Sequence, residues 1–325
     1  MTRVFIDGEA GTTGLQIAER LSRREDLRLL HIDESERKDP QARARLLREA
    51  DVAILCLPDD AAREAVALAG DACRLIDASS AHRVAEGWVY GLPELTADAR
   101  KEIASARRVS NPGCWPQGFL LLVRPLIDAG LVPPDLPLSV HGVSGYSGGG
   151  RPMIETYQAF DEASRERFNT RAYGLGLAHK HLPEMLRYSG SRVRPLFTPM
   201  VGAYYQGILV NVPLFASELN GCPSAEDVHG VLADRYRNEP FVHVFPPGAA
   251  EAVQGGYLDA TACNRSNRVE LMVFGNAGQI LLAARYDNLG KGASGAAVQN
   301  LNLMIGADET TGLIEPERSA REVRR

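Results

Sequence analysis

The segment Ser110-Asn-Pro-Gly-Cys114-Trp-Pro-Gln-Gly118 carries the strongest candidate for covalent chemistry. Asn-Pro-Gly enforces a turn, and the apolar run over 119–127 has helical texture, so Cys114 is expected at a helix N-terminus. Pro116 suits a first helical turn, where the amide it lacks has no partner. Pro125 is expected to kink or end the helix early. Free amides and the positive end of the helix dipole favour thiolate, whereas an ordinary thiol with a pKa near 8.5 is only a few per cent ionised at neutral pH. Beside a nicotinamide, such a nucleophile would turn an activated acyl group into a thioester that hydride reduces toward an aldehyde. Cys56, inside Ile54-Leu-Cys-Leu57, reads instead as a small buried hydrophobe.

That chemistry needs a base and anion donors. His179-Lys-His181-Leu-Pro183-Glu184 supplies two imidazoles. Leu182 precedes proline and is biased toward extended geometry, in which residues two apart point the same way. A helix is expected from Pro183. His181 is assigned as general acid/base and His179 as a substrate-orienting group, with the reverse also open. Val143-Ser-Gly-Tyr-Ser-Gly-Gly-Gly-Arg151 brings backbone close to an anion at Gly148, Gly149 and Gly150, with the Arg151 guanidinium for a carboxylate or phosphate. Arg83, after Ser79-Ser80-Ala-His, and Gln117 complete the substrate candidates. A zinc site of Cys114, His179 and His181 is the alternative; no second cysteine or carboxylate pair supports it.

Gly8-Glu-Ala-Gly11-Thr12-Thr13-Gly14 joins a strand to an amphipathic helix, the setting of a dinucleotide turn, although its spacing is G-x-x-G-x-x-G. The next strand ends in Ile32-Asp-Glu-Ser-Glu-Arg-Lys38. Asp33 would suit the ribose hydroxyls of NAD, and Ser35, Arg37 and Lys38 the 2′-phosphate of NADP; NADP(H) is favoured. Pro58 and Ser79, at the carboxyl ends of two further strands, join the cofactor candidates.

The elements that must hold these residues follow from the pattern. Strands over 3–6, 27–32, 52–57 and 74–76 alternate with helices over 15–24, 41–49 and 60–69, which implies a Rossmann-type, doubly wound parallel α/β sheet. Longer strands over 138–144, 207–214, 269–276 and 279–285 imply a mixed or antiparallel sheet. A helix over about 293–305 is expected to return to the first unit. The division expected is a dinucleotide-binding domain over 1–114, completed by 290–325, and a catalytic and oligomerisation domain over 115–289. The chain has 325 residues, 45% hydrophobic and 24% charged, with a net charge of −5 and no Lys/Arg block, which argues against nucleic acid. No uncharged apolar stretch reaches the ~18–20 residues of a membrane span. Five scattered cysteines without C-x-x-C suit a reducing compartment, and 1–8 reads as a strand and not a leader, so a cytoplasmic location is expected.

Together with Lys291-Gly292-Ala-Ser-Gly-Ala-Ala-Val-Gln-Asn-Leu-Asn-Leu303, these motifs resemble the N-acetyl-gamma-glutamyl-phosphate reductase family, in its short, second-type branch. The resemblance implies a Rossmann domain plus an α+β catalytic domain of the glyceraldehyde-3-phosphate dehydrogenase type. It implies NADPH-dependent reduction of N-acetyl-L-glutamyl 5-phosphate in arginine biosynthesis, with Cys114 as nucleophile and His181 as the second histidine of the H-x-H motif. It also places Asn288 and Gly292 against the cofactor and implies a homodimer or homotetramer. One departure is the turn itself, where Glu9 brings a negative charge near the pyrophosphate. Aspartate-semialdehyde dehydrogenase, with the same reaction type, is the enzymatic rival; a non-catalytic NADPH-binding redox sensor using Cys114 is the rival of another class.

Overall fold

The computed structural model describes residues 1–313; residues 314–325, expected to complete the first unit, lie outside the described residues. The first sheet contains β1 (Thr2–Asp7), β2 (Leu27–Leu30), β3 (Val52–Leu55), β4 (Arg74–Asp77), β5 (Val89–Tyr90) and β6 (Arg108–Ser110). Its order is β2-β1-β3-β4-β6-β5, and every pairing is parallel. Helices α1 (Thr12–Leu21), α2 (Pro40–Glu49), α3 (Asp59–Ala69) and α4 (Ala99–Ser105) connect it. The strand β3 is buried along its whole length, which explains its unbroken apolar run. The first helix begins at Thr12, three residues before its apolar face starts, because Gly11 already serves as its N-cap.

Central to the molecule is α5 (Cys114–Asp128), apolar nearly all round and buried accordingly. The expected break at Pro125 does not occur. Proline removes the amide that would bond the Leu121 carbonyl four residues back. The buried Tyr236 hydroxyl donates to that carbonyl instead, at 2.8 Å. Tyr236 ends a later helix and thereby repairs the ladder from outside.

The second unit follows with β7 (Ser139–Gly145), α6 (Gly150–Gln158), α7 (Glu162–Arg167), β8 (Thr170–Ala172), α8 (Leu182–Ser189), β9 (Leu196–Gly202), β10 (Ile208–Phe215), α9 (Ala225–Tyr236), β11 (Val242–Val244), the two-residue strands β12 (Val253–Gln254) and β13 (Tyr257–Leu258), β14 (Val269–Gly275) and β15 (Gln279–Tyr286). Its main sheet runs β11-β14-β15-β10-β7-β9-β8 and is mixed, with β11/β14 and β7/β9 parallel. One face of β10, β14 and β15 packs on α5 and α9, with Trp115, Phe119, Val210, Val228, Leu232, Leu271 and Leu282 buried together.

After β15 the chain makes a single π-turn, Gly290–Ser294, before α10 (Gly295–Ile305) begins, two residues later than expected. Ala297, Val298 and Leu301 of α10 share a core with Ile17 of α1, Ile76 of β4 and Val109 of β6. The last helix therefore packs on the first sheet, and the turn before it passes the cysteine.

Candidate functional site

Cys114 is the first residue of α5, and its N-cap Gly113 supplies no capping side chain. Three groups fix this turn. The Tyr286 hydroxyl donates to the Cys114 carbonyl and accepts from the Gly118 amide. Glu184, 1% exposed, accepts from the Gly113 amide at 3.0 Å and the Tyr90 hydroxyl at 2.8 Å through one oxygen. Its other oxygen accepts from Arg83 at 2.7 Å. A β-carbon at Gly113 would lie 2.5 Å from Arg83 Nη1, 2.7 Å from Glu184 Oε1 and 2.7 Å from His181 Nε2. Only glycine permits that convergence, and the nitrogen of His181 facing the cysteine turn is Nε2.

The electrostatics revise one expectation. Burial pushes the Cys114 thiol up to about 11, against the lowering influence of Arg83, the Trp115 amide and Lys180, with Glu184 adding to the rise. The helix start and the cation do not overcome desolvation. The thiol therefore keeps its proton near neutral pH. His181, 5% exposed, is held well below the ordinary imidazole pKa by burial first, then by Arg83, His179 and Lys180. Burial, Lys180 and Arg83 bring His179 down to about 4. Both rings are neutral near pH 7, the state that accepts a proton. The buried Nδ1 of His181 has no partner among the described residues.

The histidines meet by a different geometry from the extended one expected. Leu182 N donates to His179 O at 3.0 Å, closing a turn, and His181 is an αR N-cap of α8. Burial of Leu182 in the central core outweighs the pre-proline bias. The two rings stack edge-on with centroids 4.6 Å apart.

At the glycine turn, Gly8 has φ +90°, and a β-carbon there would lie 2.4 Å from the Cys56 carbonyl oxygen. Gly11 caps α1 without a side-chain bond, leaving the first-turn amides at Thr12, Thr13 and Gly14 for a ligand. This cradle fits an anionic pyrophosphate. Thr12 and Thr13 line the same cleft as Cys114, with a volume of about 380 Å³.

Arg83, Cys114, Gly149, His179, His181, Asn288 and Gly292 also line it. A β-carbon at Gly292 would lie 3.1 Å from Cys114 Cβ. Both ends of the Asn288 amide are engaged, accepting from Gly207 N at 2.7 Å and donating to Ser147 Oγ at 3.0 Å, so it braces the wall. Several expected contacts fall elsewhere. Arg151 is exposed, pairs with Glu155 one turn along α6 at 2.7 Å and does not line the cleft; Met153 does. Gln117 is fully buried and donates to the Lys291 carbonyl, because its helix face turns into the core. The Ser79 hydroxyl donates to Asp77, and Pro58 is the N-cap of α3. Ser35, Arg37 and Lys38 are exposed beyond β2, with Arg37 turned to Glu34 at 3.4 Å.

Sequence reasoning passed over Glu184, although its spacing of three from His181 puts both on one helical face. It also passed over Tyr173, which lines the cleft and whose hydroxyl accepts from the Trp115 indole N–H at 2.9 Å. Indole nitrogen only donates, so the Tyr173 proton is left to donate elsewhere. Tyr286 has no local signature, since its role depends on pairing between distant strands. Among the described residues, no group of three or more His, Cys, Asp or Glu is arranged to hold a metal ion.

A parallel nucleotide-binding sheet, a mixed sheet and a cysteine at a helix start between them define a semialdehyde-dehydrogenase class of protein. Residues 3–103 match the family described as semialdehyde dehydrogenase, NAD binding domain, and residues 114–288 match semialdehyde dehydrogenase, dimerisation domain. An aspartate semialdehyde dehydrogenase II from Vibrio cholerae has the same fold, with a TM-score of 0.71 at 18% identity, covering 94% of this chain and 98% of the other. Within that class the chain belongs to the N-acetyl-gamma-glutamyl-phosphate reductase family. It is 51% identical to N-acetyl-gamma-glutamyl-phosphate reductase 2 of Nostoc sp., covering 96% of this chain and 99% of the relative. It is 52% identical to the protein of that name from Pseudomonas putida, covering 95% and 98%.

Proposed function

We propose that this chain reduces N-acetyl-L-glutamyl 5-phosphate to N-acetyl-L-glutamate 5-semialdehyde with release of phosphate, using NADPH, as a step of arginine biosynthesis. The observation that carries the mechanism is the convergence of Cys114, neutral His181 and the α1 amides on one cleft. The family relationship supports the substrate.

Cys114 Sγ attacks the acyl carbon as His181 accepts its proton, which removes the need for a preformed thiolate. The tetrahedral oxyanion meets donors, of which the Tyr173 hydroxyl is one candidate. Collapse breaks the carbon–phosphate oxygen bond and leaves a thioester on Cys114, and the leaving phosphate takes a proton from solvent to depart as hydrogen phosphate. When bound, the nicotinamide supplies the hydride that the thioester carbon receives. The thiohemiacetal then re-forms the carbonyl, and the departing sulfur recovers its proton from His181. Thr12, Thr13 and Gly14 would hold the pyrophosphate. Ser35, Arg37 and Lys38, exposed after β2, would hold the 2′-phosphate that distinguishes NADP from NAD, with Arg37 turning from Glu34. The match to a dimerisation domain supports self-assembly, as a homodimer or homotetramer.

The test runs the reaction backwards. Purified protein receives NADP, phosphate and N-acetylglutamate semialdehyde, and NADPH formation is followed. Turnover is expected, faster than with aspartate semialdehyde. No turnover with the acetylated substrate would refute the reading, and preference for aspartate semialdehyde would select the rival enzyme. Replacing NADP by NAD under the same conditions tests the cofactor.

A further inference from the structure

An acyl phosphate brings a dianionic group to within bonding distance of the attacking sulfur's target carbon, and the phosphate leaves with the bonding electron pair. A cation is needed there. Arg83 is committed: Nη1 to Glu184 at 2.7 Å, Nε to the Asn111 carbonyl at 3.2 Å, and Nη2 facing the Ala78 carbonyl at 3.5 Å. Its charge is balanced by the buried Glu184 carboxylate. Arg151 lies outside the cleft.

Lys180 remains. It lines the cleft beside Cys114, His179 and His181, and among the described residues its ammonium has neither an ion-pair nor a hydrogen-bond partner. Its backbone is held in the turn closed by Leu182 N to His179 O and by His181 N to His179 Nδ1, at 3.0 and 3.2 Å. The ammonium is close enough to favour the charged forms of both Cys114 and Asp59. Among the described residues no carboxylate side chain lines the cleft, and Lys180 there makes no ion pair.

We propose that Lys180 is the residue that holds the phosphoryl group of the acyl phosphate and steadies phosphate as it leaves. This rests on the reaction assigned above. Phosphate is favoured over the substrate's own carboxylate because Lys180 lines the cleft beside Cys114, and that carboxylate lies four carbons beyond the reacting one. The ammonium stays protonated throughout; it offsets charge and transfers nothing.

The reverse reaction isolates this contact because phosphate enters there as a separate substrate. In Lys180→Met, the KM for phosphate is expected to rise about tenfold or more, the value of one charge-assisted hydrogen bond. The KM values for NADP and the semialdehyde should stay within about twofold of the parent. Lys180→Arg should restore much of the phosphate KM, which a merely structural lysine would not require. A second reading avoids turnover: phosphate should slow alkylation of Cys114 by iodoacetamide in the parent and not in Lys180→Met. An unchanged phosphate KM with unchanged protection overturns the proposal. A rise in the NADP KM alone would move Lys180 to the cofactor's phosphates and overturn it as well. A parent enzyme inactive with N-acetylglutamate semialdehyde would instead refute the assigned reaction.

Discussion

At the scale of single residues, burial keeps both Cys114 and His181 neutral, one as a thiol and the other as an imidazole. A thiol pushed up to about 11 stays protonated at neutral pH, and its thiolate fraction grows as pH rises. Alkylation of Cys114 in the free protein should therefore accelerate through pH 9 and beyond, without the plateau near neutrality of a dipole-activated thiolate; stopped-time labelling and mass spectrometry read it. His181, held low, should give no loss of kcat/KM as pH falls through 6.5, the ordinary imidazole value; a fall centred there would contradict its burial. Cys114→Ser should cut turnover by roughly a thousandfold or more while NADPH binding, followed by fluorescence, is nearly intact. Cys114 was legible as a helix-start residue from Asn111-Pro-Gly-Cys114, because a turn and a helix start are local. Its pKa was not, since desolvation depends on what distant strands place over it. Arg151 stands apart from the cleft for a local reason: its partner Glu155 lies four residues away on a helix that the glycine run concealed.

At the scale of elements, the alternation of strand and helix through the first hundred residues was readable because each parallel strand is a short apolar run closed by a turn. The weaker pieces, β5, α4 and β6, were not, being two to seven residues long and shaped by their neighbours. The helix α9 did carry a signal that went unread: Ser224-Ala-Glu-Asp227 forms a capping box, with Val228 and Leu232 four apart. Pro125 shows how packing overrides a local rule. Tyr236→Phe should leave the Leu121 carbonyl unpaired and lower stability by about 1–2 kcal/mol, measured by denaturant unfolding. Adding Pro125→Ala restores an amide to that carbonyl and should recover most of the loss. A strictly additive double variant would show that Tyr236 does not serve the proline gap.

At the scale of the whole molecule, a charged cluster lies at the meeting of the two sheets' helices. Lys291 and Glu94, both fully buried, pair at 2.6 Å; Gln299 of α10 bonds both. Burial alone would raise the Glu94 carboxyl, but Lys291 and Gln299 outweigh it and hold it below the ordinary glutamate value. Its stabilising effect is thus present above that ordinary value, ~4.3, and is lost as pH falls through the lowered folded value. Lys291→Met should cost about 3–5 kcal/mol by stranding the carboxylate, and Glu94→Gln in the same chain should return much of it. Equal Tm values for the single and double variants would contradict that pairing. None of this was visible in sequence, where Glu94 and Lys291 stand almost two hundred residues apart.

The return of α10 to the first sheet also has a consequence in time. While the chain is being synthesised, Ile17, Ile76 and Val109 exist long before Ala297, Val298 and Leu301, which cover them. At ordinary translation rates that interval is roughly ten to forty seconds. Until α10 is made, the nascent nucleotide-binding unit carries an open apolar seam, available to chaperones. The part of this chain made first is thus completed last.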